Sequence, residues 1–210
     1  MEYTTADIKR SILMLSDELI AAKEELTEID SKLGDGDMGI SMAKGGIALQ
    51  AAVAKFENGQ ISDLLSECAL AFNQAAPSTL GTLLSGALSA LGKECKEKQT
   101  LTEADIVLFP KKIIQAIAKR GNAKLGDKTI LDALIPYADA LEEAYTRTRD
   151  LRSSLQESVS FAQAGMERTK GMLARSGRAK WLGERNKEYP DGGAVLCYRL
   201  ACRIAAEYRQ

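Results

Sequence analysis

The chain has 210 residues, of which 45% are hydrophobic and only 5% aromatic, and its net charge at pH 7 is −1. This length allows a sizeable core, and the balanced charge without an arginine-rich stripe argues against nucleic-acid binding. The sequence contains no histidine, which excludes a Ser-His-Asp relay, a histidine-bound zinc and a phosphohistidine on this chain.

Apolar residues recur at three- and four-residue spacing along almost the whole sequence, which predicts an all-α protein. Thr102 and Asp127 are predicted helix caps, Pro136 is expected to kink a helix, and Pro110 either kinks a helix or starts a new one. We predict eight helices at about residues 5–27, 39–56, 62–76, 80–95, 102–121, 128–145, 151–174 and 194–207.

No linker, repeat or low-complexity tract interrupts this pattern, so residues 1–210 are predicted to form a single domain. We expect no signal peptide and no membrane span, because no apolar stretch is long enough to cross a bilayer. The four cysteines lie among apolar helical residues and form no C-x-x-C pair, which predicts buried, reduced thiols and a cytoplasmic location. They are Cys68, Cys95, Cys197 and Cys202.

The most informative stretch is D-S-K-L-G-D-G-D-M-G at residues 30–39, where Asp30, Asp35 and Asp37 alternate with glycines. Three like charges this close are unfavourable without a cation, and the glycines allow the carboxylates to converge. Gly39 opens the next helix, whose free N–H groups favour an anion. We therefore predict a divalent metal site facing a phosphate, with Mg²⁺ as the ion; the alternative is a solvated acidic turn.

Three other connections are rich in glycine or charge, at residues 77–81, 121–128 and 178–193. In an antiparallel up-and-down bundle these connections and the acidic loop lie at the same end, which predicts a nucleotide site at one rim. Ser78, Thr79 and Gly81 are predicted to contact a ligand, whereas Gly86 and Gly92 fit either a tight helix crossing or a ligand contact. The two lysines of the 121–128 connection are expected to be solvated.

Several long motifs in the same order resemble the nucleotide-binding L subunit of dihydroxyacetone kinases, over essentially the whole chain. They are the acidic loop, G-N-A-K-L-G-D-K-T-I-L-D-A-L at residues 121–134, A-G-M-E-R-T-K-G-M-L-A-R-S-G-R-A-K-W-L-G-E-R at 164–185, and P-D-G-G at 190–193. The resemblance implies an antiparallel eight-helix barrel with ADP or ATP at its open rim. It also implies two Mg²⁺ ions on Asp30, Asp35 and Asp37.

The same resemblance implies how the molecule would work. A partner K subunit would hold the sugar, and the phosphoryl donor would be ATP or a phosphohistidine protein; a homodimer is left open. Arg178 is the candidate cation at the phosphates. The implied nucleotide contacts are Gly39, Ile40, Ser41, Thr79, Gly121, Arg178, Asp191, Gly192 and Gly193.

Two positions depart from the family pattern. Met38 replaces a histidine of the metal loop, and Leu80 replaces a serine of a glycine-rich loop. The leading hypothesis is a phosphotransferase subunit that transfers a phosphoryl group to dihydroxyacetone or a related short ketose. These two departures favour the alternative of a nucleotide-binding regulatory protein with weak or no catalysis. A helical scaffold with a structural cation is the third hypothesis.

Overall fold

The computed structural model describes residues 1–208, and in this range it contains nine α-helices, one 3₁₀ segment and two short strands. The helices are α1 (Thr5–Ala21), α2 (Lys23–Leu33), α3 (Met38–Lys55), α4 (Ile61–Ala75), α5 (Thr79–Glu94), α6 (Glu103–Gly121), α7 (Leu131–Thr148), α8 (Leu151–Thr169) and α9 (Gly192–Glu207). The 3₁₀ segment spans Arg178–Glu188, and β1 (Glu2–Tyr3) pairs antiparallel with β2 (Leu101–Thr102). The single domain expected over 1–210 stays a prediction, and residues 209 and 210 lie outside the described range.

The helices form a closed ring in which each one packs against its neighbours in the chain and α9 packs back against α1. Helices α1 and α2 follow one another almost directly and together occupy one position in the ring, which we call the first leg. The nine helices therefore fill eight positions, or legs, and the predicted eight-helix, all-α architecture is confirmed. Large apolar side chains from every leg fill the core, among them Leu26, Met42, Phe72 and Leu141. Among the described helices, none combines the length and the apolar character that crossing a membrane requires.

The seam between the first and last legs is held by Arg199 of α9. Its Nε donates to Glu18 of α1 at 2.7 Å and its Nη1 donates to Glu25 of α2 at 2.5 Å. Arg199 therefore ties both halves of the first leg to the last helix.

The first leg differs from its prediction. It was expected to end near residue 27, but α2 continues to Leu33, so Asp30 lies in the last helical turn and not in the loop. The leg is also divided at Ala22, although the Ala22 N–H still donates to the Glu18 carbonyl at 2.9 Å and helical bonding resumes on the other side. Neither Gly nor Pro marks this division in the sequence.

Two later boundaries also differ. Helix α7 begins at Leu131 and not near 128, because the Asp127 carboxylate accepts the Lys124 N–H at 2.9 Å and does not cap the helix. Helix α8 ends at Thr169 and not at 174. Pro110 and Pro136 both lie inside helices, and the predicted Thr102 cap is confirmed by its capping box with Asp105.

Close helix packing explains several glycines. A Cβ at Gly39 would overlap with the Lys23 carbonyl oxygen, so α3 can rest on α2 only with a glycine there. A Cβ at Gly92 would lie 3.2 Å from the Ser62 carbonyl oxygen, which identifies Gly92 as part of the α4–α5 crossing.

The cysteines are all free, as expected. Three are buried and Cys202 is half-buried.

Candidate functional site

Three aspartates converge where α2 passes into α3. One carboxylate oxygen from each of Asp30, Asp35 and Asp37 lies within 4.8 Å of the others. Gly34 ends α2 so close to Asp30 that a Cβ would lie 2.5 Å from its Oδ1, and Gly36 has a φ of +75°, which favours glycine. The sequence thus brings the carboxylates together by bending the chain at two glycines.

Asp30 also fixes the shape of this loop. Its Oδ2 accepts the backbone N–H of Asp37 at 2.9 Å and that of Met38 at 3.2 Å. Because Asp30 stands on a helix, these bonds set the loop against a rigid support.

The cluster carries more negative charge than its surroundings neutralise. Burial raises the pKa of Asp37, the neighbouring carboxylates of Asp35 and Asp30 raise it further, and the Arg178 guanidinium opposes the rise. Arg178 forms an ion pair with Asp35 and acts electrostatically on Asp37. Oxygen-only ligands with excess negative charge suit Mg²⁺, so the residues present fit the predicted ion.

A cleft opens beside the aspartates, and residues from all four of the predicted connections line it. Ser78 caps α5 by accepting the Gly81 N–H at 3.1 Å, and Thr79 is the first residue of that helix. The cleft lining includes residues from all four connections, among them Asp30, Asp37, Met38, Ser78, Thr79, Leu80, Gly121, Lys128, Arg178, Asp191, Gly192 and Gly193.

Most of the implied nucleotide contacts therefore meet in one place, namely Thr79, Gly121, Arg178, Asp191, Gly192 and Gly193. Gly39, Ile40 and Ser41 lie in the first turn of α3, next to this lining but outside it. Gly39 is buried against α2, whereas Ile40 is exposed. The role of all these residues as nucleotide contacts stays a prediction.

Asp191 caps α9 at the far side of the cleft. Its Oδ2 accepts the Ala194 N–H at 2.8 Å, and its own N–H donates to the Thr169 hydroxyl at 2.9 Å. Burial raises the pKa of the Asp191 carboxyl to about 6, although the Ala194 N–H and the Lys128 ammonium act against the rise.

The Met38 side chain extends from the end of the acidic loop to the first turn of α9. A Cβ on Gly192 would be 2.6 Å from its Sδ, so the thioether packs directly on the α9 backbone. The departure from the family pattern at this position is therefore an apolar side chain inside the cleft.

Sequence reasoning missed two residues that shape the 121–130 connection. Lys128 was expected to be solvated, but it is only 2% exposed, so that expectation was wrong for this lysine; Lys124 is exposed, as expected. Asp132 accepts the Gly126 N–H and the Thr129 N–H, both at 2.7 Å. The T-x-x-D spacing at residues 129–132 is a capping signal that could have revealed Asp132.

Asn186 is a third residue that the sequence did not reveal. Its Oδ1 accepts the Ala174 N–H and its Nδ2 donates to the Ala179 carbonyl, both at 3.1 Å, while the residue is fully buried. These bonds order the connection between α8 and α9, which carries Arg178.

Comparisons with a family model and with related proteins all identify the same family. A family model described as the DAK2 domain matches residues 32–206. A D-erythrulose kinase of Mycolicibacterium smegmatis is 31% identical over 197 residues, which are 91% of this chain but 34% of that kinase. The chain thus spans about a third of that relative. The ADP-binding subunit DhaL of the PEP-dependent dihydroxyacetone kinase of Escherichia coli is 24% identical and is covered to 93%, as is this chain.

Solved structures share the fold. The dihydroxyacetone kinase of C. freundii in its native form superposes with a TM-score of 0.75 at 19% identity, covering 98% of this chain and 35% of that one. Its complex with AMP-PNP and Mg²⁺ gives a TM-score of 0.73 at 20% identity.

Proposed function

Because the chain belongs to the DAK2 domain family, we propose that it binds Mg-ADP or Mg-ATP and transfers a phosphoryl group to a short ketose held by a partner K subunit. The observation that carries the proposal is the convergence of Asp30, Asp35 and Asp37 within 4.8 Å beside a cleft that Arg178 also lines. Such an arrangement provides what phosphoryl transfer needs, which is positioning and charge neutralisation.

The relatives support a subunit with a separate sugar-binding partner. The Escherichia coli protein that matches this chain along nearly its whole length is named as an ADP-binding subunit. The erythrulose kinases are about three times longer than the region that matches, as expected if sugar binding resides elsewhere in them. Their names extend the acceptor class from dihydroxyacetone to the four-carbon erythrulose.

In this proposal Asp30, Asp35 and Asp37 hold two Mg²⁺ ions, which when bound would offset the charge on the phosphate oxygens. Asp30 keeps its carboxylate in place through the two N–H bonds from the loop. The first turns of α5 and α9 present backbone N–H groups to an anion in the cleft. Arg178 adds a cation beside the aspartates; its side chain is 62% exposed, so it is accessible to a phosphate in the cleft.

The phosphoryl donor is either ATP, which exchanges with ADP, or a phosphohistidine protein that rephosphorylates bound ADP. Because this chain has no histidine, a phosphohistidine would have to belong to the partner. The expected cytoplasmic location stays a prediction.

The proposal is tested by combining the chain with a cognate K subunit, dihydroxyacetone or erythrulose, and either ATP or a phosphohistidine donor. We expect turnover by the wild type, and a loss of at least about 100-fold for Asp35→Asn, which removes one ligand charge. Asp139→Asn is the matched control, because Asp139 lies on an exposed face of α7 with its side chain 68% exposed. Equal turnover of the wild type and Asp35→Asn would contradict the proposal.

The second candidate is a nucleotide-binding regulatory protein, favoured by the apolar Met38 and Leu80 in the cleft lining. Tight MgADP binding without turnover on any sugar or donor would support it, most clearly if Met38→His then gave turnover. If MgADP does not change the melting temperature of the chain, the hypothesis that remains is the helical scaffold with a structural cation.

A further inference from the structure

Lys128 places a positive charge in an unusual position beside the cleft. Lys128 is only 2% exposed, and its backbone φ is +61°, a conformation that residues with a side chain rarely adopt. Its Nζ donates to the carbonyl oxygen of Tyr189 at 2.8 Å, to that of Met172 at 3.3 Å, and to that of Asn186. The three N–H groups of one ammonium are thus matched by three backbone carbonyls.

These carbonyls belong to one connection, residues 172–189, which we call the flap. Met172 lies where the flap leaves α8, whereas Asn186 and Tyr189 lie where it approaches α9. Lys128 therefore joins the two ends of the flap and fastens both to the connection that precedes α7. Further bonds close the flap, including Gly171 N–H to the Lys187 carbonyl at 2.9 Å.

Arg178 stands in the middle of this flap. Its ion pair with Asp35 connects the flap to the acidic cluster. The position of its guanidinium thus depends on how firmly the flap is held. On a loose loop, this long exposed side chain would no longer be oriented towards the aspartates.

Burying an ammonium without partners would cost several kcal/mol, so the three carbonyls are needed to keep Lys128 inside. Conversely, an apolar side chain at this position would leave three carbonyls without their donor. Burial lowers the pKa of Lys128, and the Asp191 carboxylate opposes this effect.

We propose that Lys128 is a positioning residue: its ammonium clamps the flap so that Arg178 faces the aspartates and the nucleotide phosphates. The effect on ligand binding rests on the proposed nucleotide site, whereas the clamp itself does not.

The clamp is tested first without any ligand, by limited trypsin digestion of the intact chain. The flap contains trypsin sites at Arg175, Arg178, Lys180, Arg185 and Lys187. We expect cleavage in the flap to be at least tenfold faster for Lys128→Met than for the wild type. Lys124→Met is the matched control, since Lys124 lies in the same connection but is exposed, and it should be cleaved like the wild type. Equal cleavage of both variants overturns the proposal.

The second measurement asks whether Lys128 acts through Arg178, with MgADP as the probe in calorimetry. Lys128→Met should weaken MgADP binding by about tenfold and by no more than Arg178→Ala does, whereas Lys124→Met should change it less than twofold. In an Arg178→Ala background, Lys128→Met should cause no further loss, because the positioned group is already absent. A merely structural role gives additive losses in this cycle and overturns the proposal.

If Lys128→Met does not fold, Lys128→Arg replaces it in both measurements. Its larger, planar guanidinium keeps the charge but spreads its donors over three nitrogens, whereas the three carbonyls converge on one, so the flap should still be cleaved faster than in Lys124→Met. Equal cleavage overturns the clamp. If the wild type does not bind MgADP at all, the proposed function fails, while the digestion result still decides whether Lys128 clamps the flap.

Discussion

Asp191→Asn should stabilise the protein at neutral pH, although Asp191 caps a helix. Asp191 holds the Ala194 N–H at the start of α9, and burial raises the pKa of its carboxyl to about 6 from the ordinary 3.8. Asparagine caps a helix about as well as aspartate. The substitution therefore keeps the hydrogen bond and removes the negative charge.

The size and sign of the effect follow from the two pKa values of Asp191. The folded protein binds this proton more tightly than the unfolded chain, so the carboxyl favours the folded state most below pH 3.8. That contribution is lost as the pH rises to about 6 and stays constant above it. The difference between 3.8 and about 6 corresponds to about 3 kcal/mol.

The assay is urea unfolding followed by circular dichroism between pH 4 and pH 7. Relative to Asp191→Asn, the free energy of unfolding of the wild type should fall by up to about 3 kcal/mol across this range. Asp150→Asn is the control, because Asp150 caps α8 from an exposed position. The reasoning is refuted if the difference between the wild type and Asp191→Asn does not change with pH, or if Asp150→Asn shows the same change.

Three further predictions concern other sites. Gly39→Ala should lower the free energy of unfolding by about 2 kcal/mol, because its Cβ overlaps with the Lys23 carbonyl; unfolding at unchanged urea concentration would contradict this. Gly86→Ala should raise it by about 0.5–1 kcal/mol, since its Cβ meets only the Arg120 Cδ at 3.6 Å, and a loss of stability would be the wrong sign. Arg178→Ala should change stability by less than about 1 kcal/mol, because its ion pair is exposed, yet weaken MgADP binding about tenfold in calorimetry. Unchanged binding would remove Arg178 from the proposed site.

Much of the fold was predictable because its legs follow the apolar periodicity and its caps are local. Thr102 with Asp105 is one such local signal, and the helix begins there. The start of α7 was predicted wrongly because neighbouring residues compete for the role of cap. Asp127 looked like a cap for α7, but Asp132 holds the start of this helix and Asp127 turns back to Lys124.

The acidic cluster was predictable for the same reason, since its three aspartates lie within eight positions of one another. Lys128 was not, because its partners are backbone carbonyls 44 to 61 residues further along the chain. Any residue has a carbonyl, so no sequence pattern announces such a contact. A buried lysine and a solvated one are identical in the sequence, and only the tertiary structure separates them.

The Arg199 seam joins the two parts of the chain that face each other across the cleft. Asp30 lies on the first leg, whereas Gly192 and Gly193 lie on α9, and Arg199 joins the first leg to α9. Because the cleft takes its lining from both, it is complete only when α9 has packed against α1 and α2. A ligand that contacts both the first leg and α9 should therefore also stabilise their packing against each other.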